Sequence, residues 1–272
     1  MAVQAANILR GIMGRVKAKR PKGNFPKLSW FMEKLLKHQE DKKAKQLQIG
    51  TIHLAYKRPY EVLHTYQELF EDEIYKFPSK TSEPYIIDCG AHIGMSVIYF
   101  KKLYPRSRIL VFEPDAENFK LLQRNIELNH LSGIELRQSA VWINNGAISF
   151  HSRGGQGSQI ATEEKENAVT IKAERLADIL KEGHVDFLKI DIEGAEMDVI
   201  NDCEPYLHNV DQLFVEYHGK ADEGAKLATL MVLLQKQFSI YLKPAADNLQ
   251  HPFVQRKTSH SFDVQLNIFC YR

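Results

Sequence analysis

Two groups of residues in this sequence can do chemistry. The first is YIIDCGAHIG, Tyr85 to Gly94, in which an apolar run leads into Asp88, Gly90, Ala91, His92 and Gly94; Glu113 and Pro114 follow in VFEP. The second is KIDIEGAE, Lys189 to Glu196, followed by Glu216 and His218 in VEYH. The glycines of the first group invite comparison with phosphate sites. A P-loop needs a Lys-Ser/Thr pair after its glycines, and Ile93-Gly94-Met95 offers none. The dinucleotide fingerprint is GxGxxG, whereas here His92 fills the middle glycine position. Asp88, at the end of the apolar run, would repel a pyrophosphate and suits a ligand that is cationic at that spot.

S-adenosyl-L-methionine is such a ligand, with an ammonium and a sulfonium but no phosphate. Asp88 can answer the ammonium, Gly90 and Gly94 allow close backbone approach, and a helix N-terminus can face the methionine carboxylate. Glu113 can accept both ribose hydroxyl protons. His92 can reach the substrate or cap the following helix.

These residues need elements to position them. Tyr85–Cys89 reads as a buried strand, and Val97, Ile98, Phe100 and Leu103 as the apolar face of a helix. Arg108–Glu113 is a second strand stopped by Pro114. Phe119 to Leu128 form a helix, and Glu135–Val141 a third strand. Val185–Ile190 and Gln212–Tyr217 are further strands, Asp222–Phe238 a helix, and Ser239–Leu242 and Val264–Tyr271 two last strands. Ile148–His151 reads as a short β extension before the polar, glycine-rich loop SRGGQGSQ. Alternation of strand and helix predicts an α/β fold with a mostly parallel sheet, ligands lying beyond the strands' C-terminal ends.

The 272 residues suffice for one large domain with an extension. Residues 1–80 read as a basic, helical N-terminal extension and 81–272 as the α/β domain. Residues 1–45 hold 12 Lys and Arg against 3 Asp and Glu, and the rest of the chain 24 against 31. Val3 to Val16 show helical apolar spacing with basic residues interleaved, so residues 1–20 can dock on the domain, on a partner subunit or on an anionic membrane surface. Trp30 to Lys37 predict a second short helix. No aromatic interleaves the first basic run, which argues against nucleic acid. No apolar run is long enough to span a bilayer and no secretory signal is evident, so the expected compartment is the cytoplasm, with membrane association at its face. Cys89, Cys203 and Cys270 are scattered core residues, neither a disulfide framework nor a zinc site.

DCGAHIGMSVIYF, VFEPDAENFKLLQRNIELN, VDFLKIDIEGAEMDVI and LFVEYH resemble the FkbM family of methyltransferases over roughly residues 84–220. The resemblance implies a class I methyltransferase fold, Rossmann-like, with a seven-stranded sheet ending in an antiparallel hairpin. It also implies O-methylation of a hydroxyl on a sugar, a glycan or a polyketide-like product. Where the family often has Asn-Ala after the third strand, at its adenine contact, this chain has Ser139-Ala140.

Methyl transfer to oxygen requires alignment, exclusion of water and removal of a proton. Strand alternation puts Lys189, Asp191 and Glu193 on one side, with Glu216 and His218 beside them. Three readings stand. The cluster can be structural, Lys189 pairing with Asp191 and Glu193 favouring a helix N-terminus. His218 or a carboxylate (Asp191, Glu193 or Glu216) can be the general base, His218 being favoured by its ordinary pKa. Or Asp191, Glu193 and Glu216, with His218, can hold a divalent cation. His251 and His260 can line the acceptor pocket. Two other function classes compete: an NAD-linked oxidoreductase or sugar-nucleotide epimerase, which would want GxGxxG, and a non-catalytic binding module, which would tolerate loss of Asp88 or Glu113. The expected partners are a small-molecule or glycan acceptor and a second copy of the chain, not nucleic acid.

Overall fold

The computed structural model describes residues 23–41, 43–151, 159–160, 169–246, 251, 253–254 and 262–272. The amphipathic stretch 1–20, most of the SRGGQGSQ loop and His260 lie outside these residues. The central sheet contains β3 (Tyr85–Cys89), β4 (Arg108–Phe112), β5 (Ile134–Arg137), β10 (Val185–Ile190), β11 (Val210–Gly219), β12 (Ser239–Pro244) and β13 (Val264–Tyr271). Its order is β12-β13-β11-β10-β3-β4-β5. The pairs from β11 to β5 are parallel, and β13 runs antiparallel to both its neighbours. This is the class I methyltransferase sheet with its C-terminal antiparallel hairpin. Every residue of β10 is buried, as a central strand covered on both faces must be.

Alternation sorts the strand residues into two cores. Ile87, Cys89, Leu188, Ile190, Leu213 and Val215 face α6 (Glu196–Cys203) and α7 (Gly224–Gln235). Ile86, Val111, Phe187 and Phe214 face α3 (Met95–Leu103), α4 (Ala116–Leu128) and an N-terminal layer. That layer holds α1 (Trp30–His38), capped by the Ser29 hydroxyl, then a hairpin of β1 (Lys45–Ile49) and β2 (Ile52–Tyr56), then α2 (Pro59–Tyr66) and a π-helical turn over Gln67–Glu71. The sequence reading has only helix and linker where the hairpin lies. The layer shares the core of the main sheet: Tyr75 packs edge-on against Phe214, with ring centroids 4.7 Å apart, and Phe77 stacks on Phe187 at 4.8 Å.

Two asparagines, Asn125 within α4 and Asn129 at its C-terminal cap, complete the outer edge of the hairpin. Asn125 accepts the Ala55 N–H at 2.6 Å and donates to the Ala55 and Ile93 carbonyls at 3.0 and 2.8 Å. One helical turn on, Asn129 accepts the His53 N–H and donates to the His53 carbonyl. Positions i and i+4 on a helix lie about 6 Å apart, close to the i, i+2 repeat of a strand, so the two carboxamides act as rungs for β2.

The third strand departs from expectation. Glu135–Val141 is split into β5, in the central sheet, and β6 (Ala140–Trp142), which leaves it. Between them Ser139 is fully buried with its hydroxyl on Glu174, and Ala140 pairs with Ala173 of β9 (Val169–Arg175). β6, β9, β7 (Gly146–His151) and β8 (Gln159–Ile160) form a second, four-stranded sheet that continues into α5 (Leu176–Lys181). No helix among the described residues is long and apolar enough to cross a membrane.

Asn125→Ala strands one buried N–H and two carbonyls. It is expected to destabilise the protein by about 3–5 kcal/mol in denaturant unfolding and to abolish hydrogen-exchange protection of β2 before that of the central sheet. Equal loss of protection in both would show that the asparagine does not act at the hairpin.

Candidate active site

The C-terminal ends of β3, β4, β10 and β11 converge on one edge of the sheet, and a buried lysine ties two of them together. Lys189, 3% exposed, donates to the Gly90 carbonyl at 2.8 Å, pairs with Asp191 at 3.1 Å and lies 3.4 Å from Asp88 Oδ1. Burial alone would lower the pKa of its ammonium, but the Asp191 and Asp88 carboxylates together hold it well above the usual range. Asp88 is fully buried. Its Oδ2 accepts the Ser96 hydroxyl, and its Oδ1 has no hydrogen-bond partner beyond the neighbouring ammonium.

Gly90 has φ +88°, and a Cβ there would stand 1.8 Å from the Asp191 carbonyl oxygen. The glycine is thus required by contact between two strand-end loops, since no side chain fits between these backbones. Gly90 and Ala91 donate their N–H groups to Phe112, and Asp191 donates to Cys89, so the three loops form one hydrogen-bonded rim. Gly94, at φ +84°, is the left-handed residue before α3 and packs against Leu122.

Glu113 lies just beyond β4, buried, before Pro114 and the Asp115 cap of α4. One carboxylate oxygen accepts the His92 N–H at 2.7 Å and the other the Asp115 N–H at 2.9 Å. Burial pushes its pKa up to about 7 against these two bonds, which favour the ionised form. The His92 ring, at φ +52°, is 3.4 Å from Glu61 of α2, and burial pulls its pKa down to about 4. Ser139 and Ala140 are buried at the junction of the two sheets, with the Ser139 hydroxyl engaged by Glu174.

The second group of residues comes together at the ends of β10 and β11. His218 is buried, its Nδ1 3.1 Å from Glu196 Oε1, and its Nε2 faces Glu193 at 3.7 Å and Glu216 at 3.6 Å. Burial would lower its pKa, but Glu196, Glu193 and Glu216 together raise it well above 6.5. A proton held this tightly favours a neighbouring carboxylate over His218 among the candidate bases. Glu196 is fully buried and also accepts the Ile192 and Gly194 N–H groups, closing the turn into α6. Glu193 reaches the ring through a left-handed backbone, φ +57°. Burial first, and then the excess of neighbouring carboxylates, pushes Glu193 up to about 9 and Glu216 up to about 8, despite the opposing effect of His218. Glu193 and Glu216 therefore hold their protons more tightly than ordinary carboxyls, while His218 faces all three glutamates.

Asp191, Glu193 and His218 each present a ligand atom within 4.8 Å of the others, and so do His184, Asp186 and Asp211 at the far end of β10 and β11. In the latter set Asp186 accepts the Tyr85 N–H and Asp211 pairs with Lys80.

Several residues at the site carry no motif. Glu68, on the π-helical turn, is pushed up to about 7 by burial, with Lys243 opposing and Asp191 adding to the shift. Tyr75 is buried beneath the cluster, and burial, then the nearby carboxylates, raise its phenol well above the usual range, Lys189 opposing. Asn267 of β13 lies directly opposite Glu216. The only sequence signal for these residues is position: Asn267 and Lys243 interrupt apolar strands at the sheet's C-terminal edge.

The profile of the methyltransferase FkbM domain matches residues 88–240, which span Asp88, Glu113, the Lys189–Glu196 block and His218. Methyltransferase 1 of Beauveria bassiana is 30% identical over 203 residues, covering 65% of this chain and 80% of the relative. The 2-O-methyltransferase NoeI of Sinorhizobium fredii is 25% identical over 156 residues, covering 50% of this chain and 63% of the relative. The crystal structure of a methyltransferase FkbM from Methylobacillus flagellatus superposes with a TM-score of 0.46 at 19% identity, covering 71% of this chain and 45% of that one. The chain belongs to the FkbM family of methyltransferases.

Proposed function

We propose that the protein is an S-adenosyl-L-methionine-dependent O-methyltransferase acting on a hydroxyl of a sugar, glycan or polyketide-like compound. The observation that carries the reading is Glu113. Its buried carboxylate is oriented by two backbone N–H groups at the end of β4, across the rim from Asp88 Oδ1, which lacks a hydrogen bond. A carboxylate so held suits a pair of ribose hydroxyls, and the short chain of relatives includes one named for 2-O-methylation. The residues present fit the cofactor. Glu113 would hold the ribose, the Gly90–Gly94 loop the methionine portion, and Asp88 with Asp191 the positive end. When bound, adenosylmethionine supplies an electrophilic methyl group on a sulfonium.

The chain's own residues supply the rest. Glu216 is the base: it lies at the sheet edge beside His218, and a carboxyl near pKa 8 is matched to accepting a hydroxyl proton close to neutral pH. His218, fixed by Glu196, holds positive charge against the carboxylates and orients Glu216 and Glu193. Lys189 does the same for Asp88 and Asp191. In this reading the positive charge at the cluster comes from Lys189 and His218, and no metal is assigned to Asp191, Glu193 and Glu216. The N-terminal layer, through Glu68 and Tyr75, covers the acceptor side and excludes water.

Glu113→Gln is expected to weaken adenosylmethionine binding roughly 10- to 100-fold by calorimetry, the range for losing a charge-assisted pair of hydrogen bonds. Because Glu113 must be ionised to accept both hydroxyls, wild-type affinity should rise with pH through about 7 and that of the variant should not. Equal affinity and equal pH dependence in the two proteins would remove Glu113 from the ribose.

Turnover with a hydroxylated acceptor, read as S-adenosylhomocysteine release, should rise with pH and level below about 8, the value of Glu216 in the empty site, since the base acts only when deprotonated and a nearby sulfonium would lower its proton affinity. Glu216→Gln should lower kcat by roughly 10²- to 10⁴-fold with adenosylmethionine affinity retained. EDTA should leave the wild-type rate unchanged. A Glu216→Gln enzyme with full turnover would transfer the role to Asp191 or Glu193.

A further inference from the structure

At the open edge of the sheet, β11, β13 and β12 place Glu216 opposite Asn267 and Asn267 opposite Lys243. Directly opposed residues on antiparallel strands project to the same side, with Cβ atoms about 4.5–5.5 Å apart. Two residues along the same strands, Phe214 and Phe269 are in edge contact within the core beneath the N-terminal layer, which fixes the side on which this row lies. Glu68 of the π-helical turn adjoins the row, its charge sensed by Glu216 and opposed by Lys243. Within the row Asn267 is 2% exposed, and its Oδ1 has no hydrogen-bond partner. Folded proteins leave few buried polar atoms in that condition, and those they keep call for a reason.

We propose that Glu216, Asn267 and Lys243 form an acceptor subsite for a neutral compound with two adjacent hydroxyls. One hydroxyl donates to Asn267 Oδ1 and accepts from Lys243 Nζ, and its neighbour faces Glu216. The inference rests on the O-methyltransferase reading and narrows its substrate class. The order of groups carries it. A carboxyl, a carboxamide and an ammonium in line offer acceptor and donor alternately, which matches hydroxyls that do both. The carboxyls of Glu68, Glu216 and Asp191 stand against Lys243, Lys189 and His218, so the row favours neither sign of charge on the acceptor.

The test uses the full-length protein saturated with S-adenosylhomocysteine and saturation-transfer NMR titrations of three probes. These are neutral methyl glucopyranoside, anionic methyl glucuronide and cationic methyl glucosaminide. The neutral probe is expected to bind most tightly. Asn267→Leu should weaken it roughly tenfold, the usual consequence of removing one hydrogen bond from a desolvated site, with the affinity for S-adenosylhomocysteine unchanged. Lys243→Ala, at an exposed position that does not threaten folding, should weaken it too. Tighter binding of a charged probe, binding of none of the three, or unchanged binding in both variants would overturn the subsite. Failure of S-adenosylhomocysteine itself to bind would instead overturn the cofactor reading.

Discussion

The buried ammonium of Lys189 is the constraint on which the rest of the site depends. It is placed mid-sheet by a strand of six buried residues, where an uncompensated charge would be prohibitive. Its three donors have one carbonyl and two carboxylates within reach, on β3, on the loop after β3 and on the loop after β10. Removing any partner would leave charge buried without compensation, so the register of these loops is fixed to within a hydrogen bond. Gly90 adds the steric half of the same constraint, because its backbone touches that of Asp191. The rim that faces the ligand therefore behaves as one rigid body, and Glu113 is joined to it through the His92 N–H.

A rigid rim does not by itself make a closed site. The covering layer comes from residues before the motif region, held at its far end by the Asn125 and Asn129 rungs and at its near end by Tyr75 against Phe214. Asn125 also donates to the Ile93 carbonyl, so the helix that docks the hairpin holds the loop between Gly90 and Gly94 as well. Position of the cover and geometry of the cofactor loop are thus coupled through a single carboxamide. The link explains how residues 23–80 contribute to the site while supplying no recognisable chemical motif.

The parts of this arrangement legible in the sequence are those whose signal is local. β3, β10 and β13 end where the apolar runs end, and Asp88, Glu113, Asp191 and His218 meet because strand order brings their C-terminal ends together. What escaped depends on contacts remote in sequence. β1 and β2, with patterns broken by Gln, His and Lys, read as linker: they pair with each other, but the outer edge of β2 is completed by asparagine side chains 70 or more residues away. The run Glu135–Val141 looks like one strand, and it divides because Ser139 is claimed by Glu174 from β9. The spacing of His218 carries no information on its 3.1 Å contact with Glu196, which raises the proton affinity of the ring.

That contact gives the carboxylate cluster its logic. Four glutamates and Asp191 surround two buried cations, an imbalance that the protein meets by retaining protons on Glu193 and Glu216. Proton affinity raised by neighbouring negative charge falls when a positive charge arrives. On the proposed reading, a cationic cofactor beside Asp191 draws those protons off, so Glu216 becomes a competent base when the methyl donor is in place and remains largely neutral when it is not. The same charges that would destabilise an empty pocket are thereby held in a form that costs little, and the ionised form is reserved for the loaded site.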